Sequence, residues 1–357
     1  MRPTRHRRLP LTAIFIPIAA ALLVIMSVPL MLILVFTLET DVLAFTSFRE
    51  GNSGIFLLDT TRSINYMLTI NPEGAYSKPI WSPNGRLMMA TFERSPGSYR
   101  IEILDVASRS LICATPYYSD ISSRSWSPDG HAFMFAAYPR DNVRTDYDLY
   151  MIALNGQEIF SLTDDNNTYG PIWSPDGTSI AFTADYTGDL DLYRLWLADQ
   201  TLTNLTQQGA QDRDPFWSPD GSLIAFRSLR GGVWENLLLD VDQKTVRRIS
   251  SSANPPDFVP VWSPQINPMQ IAFTSRRSGD AEIYIVDVLA SSDVPLQRLT
   301  HHNADDLSPI WSSDGSRIAF VSNRHGNAEI YFMNADGSHL RRLTHHPAAD
   351  YTPAWQP

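Results

Sequence analysis

Cysteine is nearly missing from this chain: Cys113 is the only one in 357 residues. A single thiol makes no internal disulfide, so a disulfide-stapled scaffold is excluded and stability has to come from packing. Charge is sparse too, at 18% of residues against 43% hydrophobic, a balance that lets a chain of this length bury a sizeable core. There is no G-x-S-x-G elbow, no Walker loop, no G-x-G-x-x-G turn, no H-E-x-x-H and no EF-hand run. The usual signatures of serine hydrolases, nucleotide sites, zinc proteases and calcium loops are therefore lacking.

Positive charge is short over most of the length. After position 38 there are 24 basic against 38 acidic residues, a balance of −14 with His neutral. Nucleic acid and anionic surfaces would repel such a body, so nucleic acid is not an expected partner.

Long apolar runs are confined to one place. Residues 11–37 contain no charge across 27 positions, and at about 1.5 Å per residue a helix of that length exceeds a hydrocarbon core of roughly 30 Å. Arg2, Arg5, Arg7 and Arg8 precede the run and Glu39 and Asp41 follow it. The excess of basic residues puts the N-terminus in the cytoplasm. The expected organisation is a basic cytoplasmic tail at 1–10, a transmembrane signal anchor at 11–37 and an extracytoplasmic domain at 38–357. A cleaved signal peptide is the rival, but the flank VFTLETDVLAF lacks a small-x-small site.

What fills residues 42–357 is a repeat. Trp81, Trp126, Trp173, Trp217, Trp262, Trp311 and Trp355 follow one another at intervals of 45, 47, 44, 45, 49 and 44 residues. Most open a W-S-P-D-G string or a worn version of it. Each is accompanied by an apolar alternation such as IAF at 180 or 318, a β-rich run such as Ile283–Val286, and a short segment resembling Leu-Thr. A period in the forties with four strand signals predicts one propeller blade per repeat. The fold class expected is all-β: a seven-bladed propeller of four-stranded blades, with one transmembrane helix before it. Because the repeat begins at its second strand and ends at its first, residues 350–356 should pair with the sheet begun at Val42 and close the ring by strand exchange.

The Ser-Pro-Asp-Gly string reads as a turn. Proline presets φ for the second position of a type I turn, Asp suits the third and Gly takes the left-handed one. Ile180 and Phe182 should face one side of their strand and Ala181 the other. The seven Trp side chains should pack between blades as structural repeats.

The strings YGPIWSPDGTSIAF and SRIAFVSNRHGNAEIYFMNADGSHLRRLTHH resemble the TolB-type, WD-like propeller repeat, over essentially residues 42–357. The resemblance implies a propeller whose channel or loop face receives a peptide or a partner domain of the cell envelope. TolB carries an α/β domain before six blades; here about four residues separate the apolar run from the first strand, and seven repeats are present.

Strand alternation puts the SPDG turns and Asp41 on one face, and the loops leading into the Trp strands on the other, away from the membrane. Five residues before four of the tryptophans stand Asp212, Asp257, Asp306 and Asp350; the loops after the IAF strands supply Arg230, Arg276 and Arg324, with Arg49 and Arg277. Two roles fit this pattern. Each Asp can brace a loop by accepting bonds from a neighbouring Arg or from backbone amides, or the four can form a one-sided acidic rim that captures a cation, an amine terminus or a basic segment of a partner. His301, His302, His345 and His346 are the remaining metal candidates. Neighbours on a strand point oppositely, so one pair does not readily give two ligands to one metal, whereas one His from each repeat with Asp306 and Asp350 could. No cofactor is implied. The function expected is a non-enzymatic protein- or peptide-binding scaffold; the alternative is a propeller enzyme acting on polysaccharide, lyase-like as in oligogalacturonate lyases or a glycosidase with paired carboxylates.

Overall fold

A computed structural model of the chain describes residues 41–69, 73–139, 146–156, 158–163, 167–207, 209–249, 258–289 and 296–357. The apolar run at 11–37 lies outside the described residues. Among those described, no helix is long and apolar enough to cross a membrane.

Seven four-stranded antiparallel sheets make up the described chain. In blades 2 to 7 the strands follow chain order from inner to outer edge, beginning with Ala75–Trp81, Asp120–Trp126, Thr168–Trp173, Gln211–Trp217, Val261–Ile266 and Asp306–Trp311. Blade 1 takes Val42–Glu50, Asn52–Asp59 and Ile64–Met67 from one end and Asp350–Trp355 from the other. Leu43 pairs with Trp355 and Ser47 with Asp350, so the ring closes by the expected strand exchange.

Alternation along the second strands sets the core. Ile180 and Phe182 pack towards Met134 and Ala136 of blade 3, whereas Ala181 joins Trp217 and Ile224 of blade 5. Phe45, Phe135, Phe182, Phe226, Phe273 and Phe320 are fully buried at matching positions, each worth roughly 1.5–3 kcal/mol of burial. The core is a series of inter-blade layers. Cys113 sits in one of them, where burial pushes its thiol up to about 11 and disfavours the reactive thiolate.

Hydrogen bonds between blades use the tryptophans. The indole N–H of Trp81 donates to Ala354 O at 3.0 Å, Trp126 to Ile80 O at 3.4 Å, Trp262 to Phe216 O at 2.9 Å and Trp311 to Val261 O at 3.2 Å. In each case the acceptor is the residue before the preceding blade's Trp. At these four junctions the inner strands are thereby tied edge to edge.

The turns behave as read. Ser218 Oγ donates to Asp220 Oδ1 at 2.6 Å, the Ser222 amide to the same oxygen at 3.1 Å, and the Gly221 amide to Ser218 O at 2.9 Å. Gly177 has φ 72°, in the left-handed region. Across three junctions the proline of one turn packs over the glycine of the next: a Cβ on Gly130 would stand 3.5 Å from Pro83, one on Gly177 3.9 Å from Pro128 and one on Gly221 3.6 Å from Pro175. That is ordinary contact, so the positive φ and not lack of room is what calls for glycine.

The Leu-Thr segment is a clasp. Thr69, Thr115, Thr163, Thr206, Thr300 and Thr344 each accept, through Oγ1, the amide that opens the apolar run of the third strand, at 2.9–3.0 Å. That amide lies beyond the end of the short fourth strand. The hydroxyl completes the ladder there.

Candidate functional site

The inner strands carry the channel, and each is irregular at one place. Proline two residues before Trp cannot donate to the ladder, so the register slips between Ser77 and Ile80, Tyr169 and Ile172, Arg213 and Phe216, and Leu307 and Ile310. The residue before that proline takes positive φ: Lys78 53°, Asp214 55°, Ser308 54° and Thr352 50°. Left-handed backbone at non-glycine residues costs about 1–3 kcal/mol each, and here it recurs around the channel.

Above these bulges lies the face of loops that lead into the inner strands. Three of the four expected rim carboxylates are buried. Asp212 is 1% exposed and Asp306 and Asp350 are 0% exposed. Arg324 Nη2 binds both oxygens of Asp306 at 2.8 and 2.7 Å, and Arg49 Nη2 reaches Asp350 Oδ2 at 2.7 Å. Burial raises the carboxyl pKa of Asp212 and Asp350, against the opposing charges of Arg230 and Arg49. Asp257 lies outside the described residues. For Asp306 and Asp350 the geometry is therefore loop bracing, and their charge is turned inward from the face.

A serine completes each brace, and the sequence reading had no use for it. The guanidinium Nε of Arg49, Arg230, Arg277 and Arg324 donates to Ser47, Ser228, Ser275 and Ser322 at 2.8, 3.2, 3.0 and 2.9 Å. The signal was present as a Ser-x-Arg spacing after four IAF-type strands. It also shows that Arg277, not Arg276, holds the repeat position in blade 6. Arg276 instead reaches Asp305 on the loop into blade 7, at 2.7 Å.

The histidine pairs do not converge with the carboxylates. His302 Nδ1 accepts the Ala304 amide and His346 Nδ1 the Ala348 amide, both at 3.0 Å, so one member of each pair closes a local turn. Among the described residues no three His, Cys, Asp or Glu side chains come together as a metal site.

Aromatic groups, by contrast, are presented on this face. Phe48 and Tyr351 are 47% and 42% exposed and meet edge to face at 6.3 Å. Tyr138, Tyr147 and Tyr169 form a half-buried run with centroids 5.8 and 5.0 Å apart, and Tyr147 donates to Asp120. Exposed Arg213 follows in blade 5, its guanidinium 5.8 Å from the Trp234 ring.

On the opposite face the Trp residues do more than fill the gaps between blades. Trp173, Trp217, Trp262, Trp311 and Trp355, with the prolines beside them, line an apolar funnel of about 460 Å³. Asp41 is on this side, paired with Arg317 just after the turn at Ser312–Gly315. The chain thus enters the propeller on the turn face.

The TolB beta propeller domain model matches residues 145–265 and 235–357. Among curated proteins, the uncharacterized peptidase YuxL of Bacillus subtilis (strain 168) is 29% identical over 147 residues, 41% of this chain, and the chain spans about one fifth (20%) of that relative's length. The crystal structure of TolB from Acinetobacter baumannii superposes with a TM-score of 0.54 at 17% identity, covering 89% of this chain and 67% of the other. An oligogalacturonate lyase in complex with manganese superposes with a TM-score of 0.67 at 16% identity, covering 83% and 86%. At such identities the two structures share the fold with this protein and no more. The family match spans more than half of the repeat region, and the chain belongs to the TolB β-propeller domain family.

Proposed function

We propose that this protein is a membrane-anchored, extracytoplasmic, non-enzymatic scaffold that docks a protein or peptide of the cell envelope on the loop face opposite its SPDG turns. The observation that carries the reading is the pairing of exposed aromatics, Phe48 and Tyr351 foremost, with loops braced by the Arg49–Asp350 and Arg324–Asp306 pairs. Tyrosine, phenylalanine and arginine are the residues that interfaces favour, because they bring large contact area at low entropy cost. Asp212, Asp306 and Asp350 take part by holding that surface in shape. The apolar run at 11–37 supports the anchor, and Asp41 on the turn face supports an orientation with the docking face outward.

A photo-crosslinking residue at Tyr351, with a control at Pro128 on the turn face, tests this in intact membranes. One partner captured at Tyr351 and none at Pro128 is the expected result; equal capture at both, or none, sinks it. A second reading is favoured by the fold shared with oligogalacturonate lyase over most of both chains. It makes the protein an enzyme on acidic polysaccharide. Release of unsaturated sugars from oligogalacturonate, with or without added manganese, would decide for that reading.

A further inference from the structure

We propose that the groove between the outer edges of blades 7 and 1 is a binding site for a small, hydroxylated, multiply charged anion. The groove has a volume of about 640 Å³, within the roughly 300–1,000 Å³ of small-molecule sites. Its lining holds three guanidinium cations, Arg49, Arg341 and Arg342, beside the imidazoles of His345 and His346, and among the described residues no acidic side chain lines it. In a body that carries a net charge of −14 after position 38 (24 basic, 38 acidic residues), such a lining stands out.

Two of the arginines are already neutralised from behind. Arg342 binds Glu329 at 2.8 Å and Arg49 binds Asp350 at 2.7 Å, and both carboxylates are fully buried. Arg341 is different. It is exposed, its Nη2 crosses the seam to Ser63 Oγ at 2.9 Å, and it has no carboxylate partner among the described residues. His346 accepts the Ala348 amide through Nδ1, which leaves Nε2 as its ring donor. The groove therefore offers several donors and at least one uncompensated positive charge.

The remaining lining narrows the class. Ser63 and Asn65 add a hydroxyl and an amide on the blade 1 wall, Asn65 Oδ1 already accepting from Arg49 Nη1 at 3.0 Å, and among the described residues the apolar members are Leu340 and Leu343. Among the described residues no Phe, Tyr or Trp lines the groove, and its walls are mostly polar and charged. A phosphorylated sugar or a hydroxylated polycarboxylate matches these walls. Such a ligand would bridge Arg341 near the C-terminal end to Ser63 and Asn65 near the beginning of the propeller. It would reinforce ring closure beside the Arg49–Asp350 pair.

The test is calorimetric titration of the full chain in detergent with glucose 6-phosphate, citrate and glucose. Binding of either anion with none of glucose is expected, and the two anions separate a phosphate from a carboxylate preference. Exposed Arg341→Gln should weaken the bound anion at least tenfold with the melting temperature of the ligand-free protein unchanged, and Asn65→Ala on the facing wall, which also removes the acceptor of Arg49 Nη1, should weaken it several-fold. Heat from none of the three ligands, or an identical titration in the Arg341→Gln protein, overturns the site; the second result would place the anion elsewhere or assign it to a general salt effect.

Discussion

The indole N–H of Trp81 donates to the backbone oxygen of Ala354, 3.0 Å away and 273 positions later in the chain. That single contact joins blade 2 to the strand contributed by the C-terminal end. It makes the tryptophan a part of ring closure as well as of the core.

Trp81→Phe and Trp355→Phe form a matched pair. Both remove part of a buried ring, but Trp355 Nε1 has no hydrogen-bond partner among the described residues, so the difference isolates the interblade bond. Trp81→Phe should cost about 0.5–1.5 kcal/mol more in urea unfolding. Equal costs would show that the indole donors contribute nothing net.

The threonine clasp makes a graded prediction. Thr69→Val keeps shape but orphans the Ile55 amide, at about 1–3 kcal/mol. Thr344→Val should cost more, because its hydroxyl also donates to buried Glu329 while accepting from Ile330. Equilibrium unfolding of the two variants checks the order.

Removing Asp306 leaves Arg324, whose side chain is 9% exposed, without its bidentate partner. Asp306→Ala should destabilise by about 3–5 kcal/mol, as for one half of a buried ion pair. The double variant with Arg324→Met should recover much of that loss. Failure of the double variant to recover would show that the brace acts through something other than charge compensation.

Acid stability follows from the turns. At Asp314 partial burial pushes the carboxyl up, but the bonds from Ser312 and Ser316 and the charge of Arg317 outweigh it and hold the value at about 2, against 3.8 ordinarily. Asp129, Asp176 and Asp220 are lowered in the same way. A lowered folded value means stability present above the unfolded pKa and lost as pH falls through the folded one. Asp212 and Asp350 have raised values, so their contribution is present below the unfolded pKa and fades as pH rises through the folded one. Asp314→Asn keeps the turn, as Asn84 does in blade 2 with Ser82 Oγ at 2.8 Å. Its unfolding midpoint should therefore fall less steeply between about pH 4 and 2 than that of the wild type.

The proposed anchor is checked by alkaline carbonate extraction. The full chain should stay with the membrane pellet and a chain beginning at Asp41 should not. Release of the full chain into the supernatant would count against a spanning helix at 11–37.

Much of the fold was legible because propeller blades are local in sequence. Trp173, the turn at Ser174–Gly177 and the strand Ser179–Ala184 are neighbours in the chain and in space, so period, strand order and turn chemistry could all be read from adjacent residues. The Leu-Thr signal was visible as a pattern. Its purpose was not, since Thr69 and the Ile55 amide it accepts are 14 positions apart and meet only once the blade is formed.

Less of the candidate site was legible. Asp306 and Asp350 could be named from spacing, but a spacing carries no information about which way a carboxylate turns. Burial decided that, and Arg324 and Arg49 drew the charges inward. The exposed pair Phe48 and Tyr351 lies 303 positions apart and is joined only by strand exchange in blade 1.

By itself, then, the sequence determined a seven-fold all-β repeat, the position of its turns and the closure of blade 1 by the C-terminal strand, because alternation and turn preference act over a few residues. Only the tertiary structure decided which charges meet solvent, which tryptophans face the funnel and where cations line a groove. Those depend on contacts between blades, where desolvation and pairing act on residues that are remote in the chain.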